Sequence, residues 1–455
     1  MSSRLSALTI WEASELLASR SIHADELLES QLDNIRRQND ELRAFITVFP
    51  GGERGNGRGS LSGIPISIKD IIHVKGKPTT AGSKVLLGYV PRVDAAVIST
   101  LREAGAILTG KTNLHEFAFG VTNLNPHFGN CRNPWKKERI SGGSSGGGAV
   151  SVAAGMSCAA IGSDTAGSIR IPASLCGVVG YKPTYGLVSR GGVIPLSWSL
   201  DTIGFLTKSV RDAIILASVT FTEGAARDPK TGGRIRPLKL RGLRLGIPRN
   251  VLEPLEEDVR RRYEASLDLA EKEGARLMEI QLENPQAMAA ARNIIVHAEA
   301  ASYHRELLRD HFAVYGEDVR ERLLQGLLIP ATTYLAAQRA RRKLAASFRG
   351  LFKRVDLLIL PTTSIAAPRL KAERVAVGNT SMDVRTALLR LTEPFNLVGA
   401  PAISIPCGAT REVLPVGLQL VGDVMEDQKL LSAALSFEKI LPRLGPASPK
   451  PQRKS

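Results

Sequence analysis

The segment that most restricts this chain is GGSSGGG (142–148), which leads straight into the apolar run AVSVAAGMSCAA (149–160). Glycine tolerates positive φ and lets other backbone come close. A flexible Gly/Ser linker would remain polar on both sides, and this segment does not. It predicts a small-residue helix lying tight against a sheet. A phosphate loop is excluded, because no G-x-x-x-x-G-K-[ST] lysine follows and no G-x-G-x-x-G stands between a strand and a helix. A second block, IGSDTAGSIRIPAS (161–174), comes directly after it. Residues 141–187 carry most of the chain's unusual glycine usage.

The flanking segments set the fold class. Apolar spacing through residues 8–46 predicts two helices, and GGERGNGRGS (51–60) predicts a flexible connection. Ile64, Ile66 and Ile68 alternate with Pro65, Ser67 and Lys69, the period of a strand. Residues 94–105 predict a helix opened by Asp94 and closed by Gly105, and Ala106–Thr109 a short buried strand. Strand, helix, strand points to an α/β fold with a central mixed sheet and helices on both faces. Charged helices are expected over 253–275 and 288–354, then a strand at Leu357–Leu360. Residues 392–408 and 414–422 read as loop, strand, hairpin and strand, the strands returning to the same sheet. The expected organisation is one domain over 1–445. Its parts are a catalytic core at about 60–225, a helical substrate side at about 250–355 and a sheet-completing part at about 356–445. The Pro-rich tail 446–455 is expected to be disordered.

Composition removes several function classes. At 455 residues, with 43% hydrophobic and 23% charged residues, the chain is an ordinary globular one. No apolar run reaches the ~18 residues of a membrane helix. Glu12 and Glu15 interrupt the first apolar stretch, so it does not read as a signal peptide. Cys131, Cys158, Cys176 and Cys407 form no C-x-x-C pair and read as buried thiols in a reducing cytoplasm. His297, His304 and His311 repeat every seven residues, which is one helix face rather than a ligand set. No metal or cofactor is expected. The formal charge of +16 is concentrated in Arg227–Arg249 and Arg339–Arg354. The second stretch has helical spacing and reads as a solvated face, without the interleaved aromatics of a nucleic-acid module.

Two residue types carry the chemistry. Ser168 follows Gly167, which permits a tight turn, so that the N–H groups of Thr165, Ala166, Gly167 and Ser168 can face one pocket. A serine needs a base. His127 lies in an Asn/Pro-rich loop, whereas Lys69 ends an apolar strand. Burial there would lower the lysine pKa from ~10.4 toward the ~7–8 of a useful base.

GIPISIKD (63–70), GGSSGGG (142–148) and GSDTAGSIRIPAS (162–174) together resemble the three blocks of the amidase signature family. KTNLHEFAFG (111–120), RNPW (132–135), residues 181–204 and the closing segments extend the resemblance over most of the chain. It implies a Ser–cis-Ser–Lys triad in which Ser168 is the nucleophile, Ser144 the cis-serine and Lys69 the base. The two serines are 24 positions apart. It further implies an oxyanion hole from the backbone of Thr165, Ala166, Gly167 and Ser168, with Ser145, Asp164, Arg170 and Asp201 in support. Two departures stand out: the nucleophile follows Ala-Gly where Gly-Gly is common, and the stretch from Phe49 to Leu61 is short.

The implied activity is hydrolysis of a carboxylic or urea-type amide to carboxylate and ammonia or amine. The expected partner is a small-molecule amide, and a homodimer is compatible with the sequence. The main alternative is the glutaminase component of a tRNA-dependent amidotransferase, its A chain, which releases ammonia from glutamine within a complex. Nucleic acid is an expected partner only in that case. HAEAASYHRELLRDHF (297–312) lacks the R-Y-D-G stretch of that component. A catalytically silent scaffold is the reading from another class, and it conflicts with the presence of Lys69, Ser144 and Ser168.

Overall fold

The computed structural model describes residues 2–57, 59–222, 235–445 and 447. Its strands, in chain order, are β1 (Phe45–Arg54), β2 (Pro65–Lys69), β3 (Ile107–Thr112), β4 (Ala159–Asp164), β5 (Val179–Lys182), β6 (Thr202–Thr207), β7 (Arg244–Pro248), β8 (Arg276–Ile280), β9 (Leu357–Pro361), β10 (Arg374–Val377), β11 (Thr380–Asp383), β12 (Ala402–Ala409) and β13 (Pro415–Val421). Eleven of them form one sheet in the order β1-β3-β2-β4-β6-β5-β12-β13-β9-β7-β8, while β10 and β11 form a separate hairpin. The sheet is mixed: β2 runs parallel to β3 and β4, whereas β4, β6, β5, β12, β13 and β9 pair antiparallel in turn. The late strands β9, β12 and β13 do return to the sheet that contains β2.

Every residue of β2, β3, β4, β6, β9 and β13 is buried. Strands buried on both faces need helices on both faces. Helices Gly146–Ala153 and Arg170–Cys176 pack on each other and on the sheet. Helices Val210–Thr220, Glu257–Lys272 and Asp427–Ile440 supply further cover. Helices Pro285–His311, Glu317–Leu327 and Ala331–Leu351 pack together, and the first also touches the short helix Glu393–Leu397.

Three local expectations change. Residues 51–54 are not a loose connection but the end of β1, where Glu53 and Arg54 pair with Leu108 and Ile107 of β3. The run 149–160 is not one helix: it stops at Ala153, turns at Gly155 (φ 66°) and enters β4. Asp94 does not cap its helix, which begins at Ala96 after Ala95. Its carboxylate instead accepts from the Lys75 N–H and pairs with Arg102. The alternating strand β2 is buried on both faces. Ser67 is fully buried, with its hydroxyl 2.9 Å from Ser151 Oγ and 3.1 Å from Ser157 Oγ, so hydrogen bonds replace solvent there.

The basic helix Ala331–Leu351 buries Leu344 and Phe348 and exposes Arg342 and Lys343. Its Arg341 turns inward to the Leu397 and Ser199 carbonyls. Residues 227–234 of the other basic stretch, and the tail except residue 447, lie outside the described residues. All four cysteines are free and buried. Among the described residues no helix is long and apolar enough to cross a membrane.

Candidate active site

Lys69 ends β2 with its side chain pointing into the protein, and it is completely buried. Its Nζ lies 2.7 Å from Ser144 Oγ, 2.9 Å from Ser145 Oγ and 2.8 Å from Ser163 Oγ. Among the described residues no carboxylate touches it. Burial pulls its pKa from 10.5 to about 7, against the raising influence of Asp201 and Asp164. A neutral amine has two N–H donors and one lone pair. Ser145 donates its own proton to the Ser163 carbonyl, so its oxygen can only accept from Lys69. Giving the second N–H to Ser163 leaves the lone pair for Ser144, and that orientation can accept a proton from Ser144.

The glycine block positions these serines. Gly143–Ser144 is a cis peptide bond. A Cβ on Gly147 would stand 2.4 Å from both the Ala44 and Asn113 carbonyl oxygens, so only glycine lets the helix start this close to its neighbours. The Ser145 N–H donates to the Ser168 carbonyl at 3.1 Å, tying the first serine block to the second.

Ser168 is 5% exposed, at the end of the loop that leaves β4. No hydrogen bond joins its hydroxyl to Ser144 in this structure. Gly167 sits at φ 134°, and a Cβ there would stand 2.3 Å from Thr392 Oγ1. The turn does not aim all four N–H groups outward. The Gly167 N–H donates to Asp164 Oδ1 at 2.7 Å, so it leaves the expected oxyanion set. The N–H groups of Thr165, Ala166 and Ser168 have no acceptor among the described residues and remain available to a developing oxyanion.

Asp164 and Arg170 brace this loop. They form a buried pair at 3.0 Å, and Arg170 also reaches the Thr392 carbonyl and Gln419 Oε1. Burial alone would raise the Asp164 pKa, but Arg170 holds it far below the usual carboxylate range. Asp201 accepts from Thr165 Oγ1 at 2.6 Å and from the Leu196 and Ser197 N–H groups. Burial raises its pKa to about 6, against those hydrogen bonds.

The structure thus gathers Lys69, Ser144, Ser145, Asp164, Ser168, Arg170 and Asp201 into one neighbourhood. His127 is elsewhere engaged, with Nε2 2.7 Å from Glu116 Oε1. His304 is buried against Phe117 and Tyr315, a packing role. Sequence reading missed Ser163, the third hydroxyl on Lys69. It also missed Thr392 and Asn396, which hold the Ala166 carbonyl and Asp164 from the far end of the chain. Ser163 sits within the GSDTAGS block and could have been suspected from it. Nothing local marks the other two.

A narrow cavity of about 20 Å³ opens beside Ser168, between Phe119, Leu196, Arg292 and Arg385. Two outer clefts, of about 580 and 550 Å³, adjoin it. Among the described residues no group of His, Cys, Asp or Glu is arranged to hold a metal ion.

Comparison with known proteins shows the family. The A chain of the glutamyl-tRNA(Gln) amidotransferase of Halothermothrix orenii is 36% identical over 473 residues, covering 95% of this chain and 97% of that one. A solved amidase is 36% identical with a TM-score of 0.88, covering 96% of this chain and 100% of that one. An s-triazine catabolic enzyme, solved in a study of a vestigial protein complex, is 30% identical with a TM-score of 0.87, covering 96% of this chain and 100% of its own. The amidase family model matches residues 26–431, and this chain belongs to the amidase signature family, enzymes that act on carbon–nitrogen bonds other than peptide bonds.

Proposed function

We propose that this protein hydrolyses a small amide through a seryl acyl-enzyme, with Ser168 as nucleophile, Ser144 as proton relay and Lys69 as base. The observation that carries this reading is Lys69, buried without a carboxylate contact and surrounded by three serine hydroxyls. A pKa near 7 makes it a base at neutral pH. Ser168 Oγ attacks the carbonyl carbon as its proton passes to Ser144 and the Ser144 proton passes to Lys69. The N–H groups of Thr165, Ala166 and Ser168 take the oxyanion. The carbon–nitrogen bond breaks as the relay returns the proton to the departing nitrogen, and water then releases the carboxylate. The open Ser144–Ser168 gap closes when substrate aligns the two hydroxyls, as catalytic hydrogen bonds often do.

Residues of about 60–225 supply this chemistry, the helices of about 250–355 form the substrate side, and about 356–445 complete the sheet. Free, buried cysteines support a cytoplasmic setting. The purified chain is expected to release ammonia or amine from a small amide without ATP, tRNA or added partner chains, and to withstand excess chelator. A folded Ser168→Ala protein that hydrolyses amides normally would overturn the mechanism.

Similarity to the A chains of amidotransferases supports a second reading, in which the same machinery frees ammonia from glutamine for a partner. Glutamine hydrolysis that appears only with co-purifying partner chains would select it.

A further inference from the structure

The loop that carries Ser168 is gripped at one peptide group from both sides. The Gly167 N–H donates to Asp164 Oδ1 at 2.7 Å. The carbonyl of the same peptide, on Ala166, accepts from Thr392 Oγ1 at 2.7 Å. In a trans peptide these two groups point in opposite directions, so the two bonds together fix the plane of the Ala166–Gly167 peptide. Gly167 sits at φ 134°, and a glycine by itself leaves that plane free to rotate. The N–H groups left for the oxyanion, on Thr165, Ala166 and Ser168, belong to the neighbouring peptides, and their directions follow from it. Thr392 is fully buried, and its own backbone is fixed: its N–H donates to the Leu389 carbonyl at 2.8 Å, and its carbonyl accepts from Arg170 Nη1 at 3.1 Å. Its single hydroxyl proton has a second acceptor in the Leu389 carbonyl at 3.0 Å. A Cβ on Gly167 would stand 2.3 Å from Thr392 Oγ1, so the hydroxyl fills the space beside the Gly167 Cα. Bracing of the fold lies elsewhere. Asp164, Arg170, Asn396 and Gln419 form a buried network of their own, and the Thr392 hydroxyl stands outside it and meets the loop itself.

We propose that Thr392 is a positioning residue for the reaction: its hydroxyl holds the Ala166–Gly167 peptide so that the flanking N–H groups converge on the oxyanion as it forms. It acts through the loop rather than on the substrate. The proposal deepens the amidase reading and rests on it for Ser168 as nucleophile. Donors that are aligned in advance work in the transition state, so loss of their alignment lowers kcat and spares KM. The base is untouched, because Lys69 meets Ser144, Ser145 and Ser163 instead, so the pH at which the rate levels off stays in place.

The test uses the full-length protein and two readouts: the rate at which a short-chain alkyl fluorophosphonate labels Ser168, and hydrolysis of acetamide, benzamide or glutamine. In the labelling, Ser168 Oγ bonds to phosphorus, the phosphorus–fluorine bond breaks with loss of fluoride, and the serine proton passes through Ser144 to Lys69. The phosphoryl oxygen takes the place of the oxyanion, so the natural amide need not be known. Thr392→Val keeps the shape and removes the hydroxyl. It is expected to slow labelling by about 10- to 100-fold, less than outright deletion of a donor because the donors remain. On an amide that is hydrolysed, kcat should fall by a similar factor while KM changes by less than about twofold. The pH midpoint of labelling should not move. Thr392→Ser keeps the hydroxyl and should return the rate to within about threefold of wild type. Should Thr392→Val fail to fold, Thr392→Cys, a weaker donor of similar size, replaces it with an intermediate loss expected. Labelling of folded Thr392→Val at the wild-type rate overturns the proposal while the amidase reading stands. A Thr392→Ser protein as slow as Thr392→Val also overturns it, because the methyl packing would then be the cause, and so does a loss carried by KM alone. If the wild type is labelled no faster than Ser168→Ala, the Ser168 mechanism fails and the positioning role falls with it.

Discussion

Two lysines on neighbouring strands are both fully buried, and their surroundings differ. Lys111 of β3 pairs with Ile68 of β2, one residue before Lys69. Its Nζ meets Asp70 at 2.8 Å and Thr79 Oγ1 at 2.7 Å, and Asp70 in turn accepts from the Thr80 N–H and hydroxyl. Lys69 meets only hydroxyls, and the acids that influence it, Asp201 and Asp164, make no ion pair with it. Burial lowers both pKa values, but Lys111 has a contact carboxylate that opposes the shift. On the proposed mechanism, depth alone does not make a base. What matters is depth without a counter-charge at contact distance.

The largest expected effect breaks the comparison at its functional end. Lys69→Ala or Ser168→Ala should lower kcat/KM by about 10⁴- to 10⁶-fold with the far-UV spectrum unchanged, whereas removal of a structural lysine would act through stability. In the wild type, kcat/KM should rise about tenfold per pH unit below about 7 and level off above it, because Lys69 must be neutral to accept a proton. His127→Ala should retain this limb. A pH profile governed by His127 would remove Lys69 from the mechanism.

Stability should move in opposite directions for the two lysines. The folded pKa of Lys69 lies below its unfolded value, so its contribution is most favourable above 10.5 and is lost as pH falls toward about 7. Lys69→Met should therefore stabilise the protein at pH 7. The shift of about 3.5 units at ~1.36 kcal/mol each caps the gain at about 5 kcal/mol, and it should shrink as pH rises. Asp70→Asn leaves Lys111 buried without its partner and should cost about 3–5 kcal/mol in urea unfolding. Destabilisation by both variants would erase the distinction between the two lysines.

The smallest effect sharpens it. Ser163→Ala removes one hydroxyl from Lys69 while leaving Ser144 in place. Turnover should fall by roughly tenfold. The acid limb should move to lower pH by less than about one unit, because an acceptor that favours the charged amine is gone. A shift to higher pH would show that Ser163 acts as a donor to the amine.

Much of the site was legible because its residues come in short blocks whose local geometry is severe. A glycine run that only close packing explains, a turn at Gly167 and a lysine ending an isoleucine strand each carry their reason within a few residues. Elsewhere local reasoning failed for equally physical causes. Residues 51–54 look like a linker until β3 offers a pairing partner. The run 149–160 keeps one apolar texture although Gly155 turns the chain in the middle of it. The Gly167 N–H was expected to face substrate, but Asp164, three residues earlier, captures it.

The sequence by itself determined the α/β class and the order of the elements, because hydrophobic period and backbone permissiveness act over a few residues, and it pointed to Lys69, Ser144 and Ser168 through the resemblance of three short blocks to a known family. Tertiary structure alone decided which buried charge would be neutralised. Asp70 turns to Lys111 rather than to its neighbour Lys69, Thr392 and Asn396 cross more than two hundred residues to hold the Ser168 loop, and Arg385 arrives at the same pocket unpaired. Electrostatic energy depends on distance through space and on what solvent has been excluded between the charges, and neither quantity exists until the strands are in register and the helices have closed over them.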